Sequence, residues 1–188
     1  NSFAYFNAGT SNFPFQEGII LATSTSTNAI GPYSSNMGGG SKNWIGDSDL
    51  NSILGINSIN ATSFEFDFVP LTNFVSFNYI FASNEYQYYF PCEYSDGFAF
   101  LIKEDGTPDA YRNLAVLPNT NMPVSSLNVH PKIVPGIALN GDRYNGCEAV
   151  NGNYFSRFNN DTSPINYAGQ TVVMTAQTNV TAGKKYHI

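Results

Sequence analysis

The sequence predicts an all-β fold, an antiparallel β-sandwich or jelly roll with long loops and at most one short helix. Alternation is the first reason: in "TSFEFDFVP" (62–70) Phe64, Phe66 and Phe68 point one way and Glu65 and Asp67 the other, as on a half-buried strand. Punctuation is the second, with Gly-, Asn- and Pro-bearing turns at "EDGTPD" (104–109), "LNGDRYNG" (139–146) and "TAGKK" (181–185). The third is that no apolar pattern of helical period runs far enough to build a core helix. Many short strands joined by such turns bury their apolar faces by packing sheet on sheet.

The elements follow in order. "GIILAT" (18–23) reads as a strand. "GPYSSNMGGGSKNW" (31–44) reads as a loop, since it lacks the Lys-Ser/Thr ending and following helix of a phosphate cradle. A short helix is expected from Asp47 to Leu54, with Asp47 capping "SDLNSIL". "NFVSFNYIFAS" (73–83) turns Val75, Phe77, Tyr79 and Phe81 to one face, and "GFAFLI" (97–102), "NLAVLP" (113–118), "TVVMTA" (171–176) and "KKYHI" (184–188) complete the strands. No repeat or linker divides the chain, so residues 1–188 read as one β-sandwich domain. Both ends look cut from inside folded segments, which predicts a piece of a longer extracellular protein; neither a signal peptide nor a bilayer-spanning run is present.

Composition narrows the function classes. Hydrophobic residues make up 42% of the 188, enough for a core, while charged residues are only 12%, about half the usual share. Asn, Ser, Thr, Gly and Tyr must therefore cover the surface, as in extracellular β proteins. A net charge of −6 argues against nucleic acid, which needs a basic footprint, and no basic amphipathic helix offers itself to a membrane. The two cysteines, Cys92 and Cys147, lack the spacing of a zinc or redox motif. A secreted-looking chain predicts a disulfide between them, against the alternative of two buried thiols. Sequons at Asn60, Asn160 and Asn179 are no more than this composition gives by chance.

Candidate chemistry concentrates in "SFNYIFASNEYQYYFPCEYSDGFAFLI" (76–102). Glu85 ends one run and Asp96 begins the next, so neighbouring strands would bring two carboxylates to the base of one loop. Such a pair repels unless protonated or bridged. Calcium is one bridge, its oxygen shell completed by Asp47 and Asp49 of "GDSDL" or by carbonyls near Asn84 and Ser95; the other reading is acids accepting backbone hydrogen bonds. Tyr86, Tyr88, Tyr89 and Tyr94 either stand exposed, to stack on sugars or pack on a partner protein, or cover the sandwich edge. Glu65 and Asp67 share a strand face as in jelly-roll glycoside hydrolases, but Pro70 occupies the third carboxylate position of E-x-D-x-x-E, leaving a polar strand face. His130 and His187 stand alone, and no nucleophile elbow occurs. No enzyme is expected.

Taken together, "EGIILAT", "GDSDL", "FEFDFVP", "VSFNYIFASNEYQYY", "YSDGFAF", "NLAVLPNTNMPVS" and "VTAGKKYHI" fall in the order seen in the choice-of-anchor L domain, a module typical of large secreted surface proteins of Bacteroidota and related bacteria. The resemblance runs from about residue 3 to the last residue, and "FNYIFASNEYQYY…YSDGFAF" is its most specific part. Asn84 stands where that family usually has a first Glu, which implies one acid fewer at any metal site. The family usually continues past "YHI", which implies a sheet completed elsewhere, such as by a strand from a neighbouring subunit. The implied role is a non-enzymatic building block of a cell-surface adhesin or filament, with other subunits or glycans as partners. "SDGFAFLI" is also similar to L-type lectins, which implies a sugar-binding role for Asp96.

Overall fold

The computed structural model describes residues 1–34 and 39–188. Residues 35–38 of the expected 31–44 loop lie outside these; its described parts form no helix or strand. Strands β1 (Phe3–Asn7) and β2 (Glu17–Leu21) form an antiparallel hairpin with Phe3 opposite Leu21. Helix α1 (Ser48–Leu54) follows, and Asp47 caps it: its carboxylate accepts from the Leu50 N–H at 2.7 Å, while Gly55 at φ 67° ends it. The remaining strands are β3 (Asp67–Phe68), β4 (Phe74–Tyr79), β5 (Ala82–Ser83), β6 (Leu101–Glu104), β7 (Arg112–Asn113), β8 (Gly136–Ile137), β9 (Arg143–Tyr144), β10 (Phe155–Phe158), β11 (Gly169–Thr171), β12 (Met174–Asn179) and β13 (Tyr186–His187).

The fold is mostly β, and every strand pair is antiparallel. The ladders form separate sheets of two to four strands, ordered β1-β2, β10-β11-β5, β12-β4, β3-β13-β6-β7 and β8-β9. Hydrogen bonding alone therefore does not draw two continuous layers, and local chemistry explains why. Where "GFAFLI" reads as one strand, β6 begins only at Leu101, because the Asn113 side-chain oxygen takes the N–H of Phe100 at 3.1 Å in place of a ladder partner. "TSFEFDFVP" pairs at Asp67–Phe68, with Phe66 and Ile188 exchanging N–H···O bonds of 3.0 and 3.1 Å before Pro70 stops the ladder. Its Phe64 and Phe66 share a face with Phe68 but are 47% and 46% exposed, so the row faces outward except at Phe68.

The longest ladder, β4 with β12, keeps the period-two pattern. Val75, Phe77 and Tyr79 turn inward opposite Thr178, Ala176 and Met174. Beneath it Phe100 meets the β4 rings edge-on, with Phe77–Phe100 centroids at 4.6 Å and Tyr79–Phe100 at 5.0 Å, while Phe98 lies tilted against Tyr79 at 5.4 Å. Ile102, Val124 and Val129 are fully buried behind them, each contributing about 1.5–3 kcal/mol of apolar burial. Among the described residues no helix is long and apolar enough to cross a membrane.

Candidate functional site

The loop after β5 is stitched at its base. The Ser83 hydroxyl donates to Asp96 Oδ2 at 2.9 Å and accepts from the Glu85 N–H at 3.0 Å, so Glu85 and Asp96 do lie close together. Burial, and then the Asp96 charge, push the Glu85 carboxyl above the ordinary glutamate range. The Tyr167 phenol is raised to about 12 by burial and by the same Asp96. Asp47 and Asp49 belong to the start of α1, where Asp47 serves as cap and accepts from Ser63 at 3.3 Å. Among the described residues no group of three or more His, Cys, Asp or Glu is placed to hold a metal ion. The four acids thus do not form one shell.

Two residues on, the chain divides its tyrosines. Tyr86 points inward, 2% exposed, and its hydroxyl donates to the Val129 carbonyl at 2.8 Å. It packs over Gly169, where a Cβ would come within 2.7 Å of the Tyr86 Cβ. Tyr86 is therefore a core residue and not available to a partner. Tyr88 then takes φ 50°, a left-handed conformation that a bulky side chain rarely adopts. Past that reversal Tyr88, Tyr89 and Phe90 lie at the surface, half-buried, and Tyr94 is 48% exposed. A single 3₁₀ turn, Phe90–Cys92, with Pro91 buried, leads into the disulfide joining Cys92 to Cys147.

The bridge brings in a second wall. The β8–β9 hairpin carries Tyr144, whose ring lies 5.6 Å from Tyr89 and 6.3 Å from Tyr88. Gly136 opposite it leaves room for that ring: a Cβ there would come within 2.5 Å of the Tyr144 hydroxyl and push the side chain aside. The hairpin loop is held by Asn140, which accepts from the Asp142 N–H at 3.1 Å and donates to its carboxylate at 2.8 Å. Between the walls runs a groove of about 790 Å³, lined by Tyr88, Tyr89, Phe90 and Tyr144 and by polar side chains including Glu93, Asp142 and Arg143. Tyr94 packs behind, 6.2 Å from Tyr89 and 5.7 Å from Phe90. Its phenol is raised by the Tyr89 phenol and the Glu93 carboxylate beside it.

Of the tyrosines singled out in the sequence, Tyr88 and Tyr89 line the groove, Tyr94 supports it, and Tyr86 belongs elsewhere. Asp96 does not line it. Tyr144 and Arg143 were hidden inside "LNGDRYNG", which reads only as a turn. The signal that could have found them is Cys147, three residues beyond Tyr144 and bonded to the tyrosine loop. The Glu65–Asp67 face is tied to basic side chains: Asp67 meets Lys185 at 2.8 Å and His187 at 2.8 Å, and Glu65 lies 3.7 Å from His187. Lys185, then His187, hold the Asp67 carboxyl below its ordinary range. His130 is buried, its Nδ1 donating to the Pro131 carbonyl at 2.8 Å.

A β-rich module with a disulfide-bonded surface groove, poor in charge, is the class these features define. The choice-of-anchor L domain family model matches residues 1–188, the whole chain, and the protein belongs to that family. It is thereby a surface-associated or secreted module, a location that the disulfide fits. No curated protein and no solved structure matches it.

Proposed function

We propose that this domain is a non-catalytic adhesive module, and that it holds its partner in the tyrosine groove. The groove carries the reading: four aromatic rings converge there with polar side chains on walls joined by a disulfide. Tyrosine offers large, rigid, amphipathic contact area at low entropic cost, and amides beside it supply adaptable hydrogen bonds. The Glu65–Asp67 pair supports a non-catalytic role: Pro70 stands at the third carboxylate position of the hydrolase strand motif, and Asp67 is engaged with Lys185 and His187. The test is adhesion of beads carrying the domain to panels of polysaccharide-coated and protein-coated surfaces. Wild type is expected to adhere and the Tyr89→Ala/Tyr144→Ala double variant to detach; equal adhesion of the two would sink the reading.

A second reading, assembly with further copies into a filament, has its own support. Among the described residues strand β12 pairs with β4 alone, and its far side borders a cavity of about 380 Å³ lined in part by Leu117, Val172 and Thr175. The Val180 N–H donates to the Asn73 carbonyl at 3.1 Å, and that phase turns the main-chain groups of Thr175 and Gln177 away from β4. An unpaired edge of this kind accepts an added strand. Ordered polymers in electron micrographs, lost on Thr175→Pro, would favour assembly; a monomer at all concentrations would remove it.

A further inference from the structure

Resting on the adhesive reading of the same groove, we infer that its occupant is a neutral hexopyranosyl oligosaccharide, stacked on Tyr89 and Tyr144 and hydrogen-bonded by Arg143. A pyranose has an apolar C–H face and an edge of hydroxyls. It calls for flat apolar surfaces set beside fixed polar groups. Of the twelve residues lining the groove, four bear rings (Tyr88, Tyr89, Phe90, Tyr144) and six bear amide, carboxylate or guanidinium groups (Gln87, Glu93, Asn140, Asp142, Arg143, Asn145). Such planar groups present paired donors or acceptors, the geometry that grips two adjacent hydroxyls. An apolar peptide would instead want a continuous aliphatic floor, and here only Ala138 and Leu139 are aliphatic.

The rings form a corner. Tyr89 and Tyr144 are tilted by 38° at 5.6 Å, and Tyr88 stands 68° from Tyr144 at 6.3 Å, so successive sugar residues would meet differently angled faces. Among the described residues the Arg143 backbone pairs with Ile137, but its guanidinium has no hydrogen bond or ion pair, which leaves its five donors for a ligand. Charge excludes the acidic sugars: Glu93 and Asp142 outnumber Arg143 on the groove wall, and the whole chain carries −6, so a uronate or sulfated glycan meets repulsion. The volume of about 790 Å³ lies within the range of about 300–1,000 Å³ typical of small-ligand sites. Rigid walls matter for a weak-binding ligand class, because little ordering remains to be done on association.

The experiment uses the whole domain. Maltotriose, cellotriose, mannotriose and galactotriose serve as neutral probes and tri-galacturonate as the acidic one, each followed by ligand-observed NMR, with a glycan array in parallel. At least one neutral trisaccharide is expected to bind and tri-galacturonate not to. Tyr144→Ala should weaken binding by about tenfold or more and Arg143→Ala by several-fold. Tyr144→Phe, which keeps the ring, should retain most of it, and unchanged melting midpoints would exclude misfolding as the cause. Silence across all neutral glycans, or binding indifferent to Tyr144→Ala, would overturn the inference. If the beads still adhere to protein-coated surfaces through Tyr89 and Tyr144 while the glycans stay silent, this inference falls and the adhesive reading stands.

Discussion

Two aromatic clusters in this molecule are built from the same residue types, and the fate of the phenol group separates them. Beneath the β4–β12 ladder, Tyr79 and Tyr86 are buried, and burial alone pushes both phenols well above the ordinary tyrosine range. The Tyr86 hydroxyl donates a hydrogen bond to the Val129 carbonyl, while among the described residues the Tyr79 hydroxyl finds no partner. In the surface cluster Tyr88, Tyr89, Tyr94 and Tyr144 keep one side in contact with solvent. The switch between the clusters occupies two residues, from Tyr86 to Tyr88, and takes the form of a backbone reversal at φ 50°. Identical side chains thus become core or contact surface according to where the backbone turns them.

Mutation should separate the clusters sharply. Tyr86→Ala is expected to cost about 3–5 kcal/mol in urea denaturation, as for other large-to-small aromatic core changes, and Tyr86→Phe about 1 kcal/mol through the orphaned Val129 carbonyl. A loss under 1 kcal/mol for Tyr86→Ala would mean that the residue is not core. Removing the bridge with Cys92→Ser and Cys147→Ser should cost about 2–4 kcal/mol, and it also frees the two groove walls from each other. Glycan or surface binding should therefore fall in that variant even at temperatures where it remains folded by circular dichroism.

In the surface cluster the signs reverse. Tyr89→Ala and Tyr144→Ala should each change stability by less than about 1 kcal/mol while abolishing most adhesion. The smallest effects belong to the acids. Glu85 has a raised pKa, so the stability it allows is full below the ordinary glutamate pKa and is lost as pH rises through the higher folded value. Glu85→Gln should flatten that decline and leave the domain slightly more stable at neutral pH. Asp67 runs the other way: its contribution is present above the ordinary aspartate pKa and disappears as pH falls through its lowered value, a loss that Asp67→Asn removes. Excess calcium against chelator is expected to leave the melting midpoint unmoved. A rise of several degrees that Asp96→Asn abolishes would make the Glu85–Asp96 pair a metal site after all.

Much of the β character was legible because β4 and β12 bury one face and leave the other wet, which writes period two into the sequence. Helix α1 was legible through its cap, since Asp47 before an apolar run is a local signal. The row Phe64, Phe66, Phe68 had the same period yet faces largely outward, because alternation reports a shared face and not what covers it. Strands β1, β8, β9 and β10 went unread; β8 and β9 are two residues each, too short to show a period, and their hairpin is written in a stretch that reads as a turn. The groove was half legible for that reason. Its first wall is a tyrosine-dense loop, but its second comes from a segment some fifty residues away, joined only in three dimensions through Cys92 and Cys147, which are 55 positions apart.

That bridge has a mechanical consequence. A surface protein is pulled when its partner is, and tension applied along the chain on either side of this segment runs directly from Cys92 to Cys147 through the sulfur atoms. The 55 residues of the ring would add roughly 190 Å of slack if the bridge were absent. With it closed, that length stays hidden, and the hairpin that carries Tyr144 stays inside the closed ring while segments outside it are drawn out. Tyr88 and Tyr89, just before Cys92, lie on the side that tension reaches, so pulling would part the two walls at the bridge before it opens the ring.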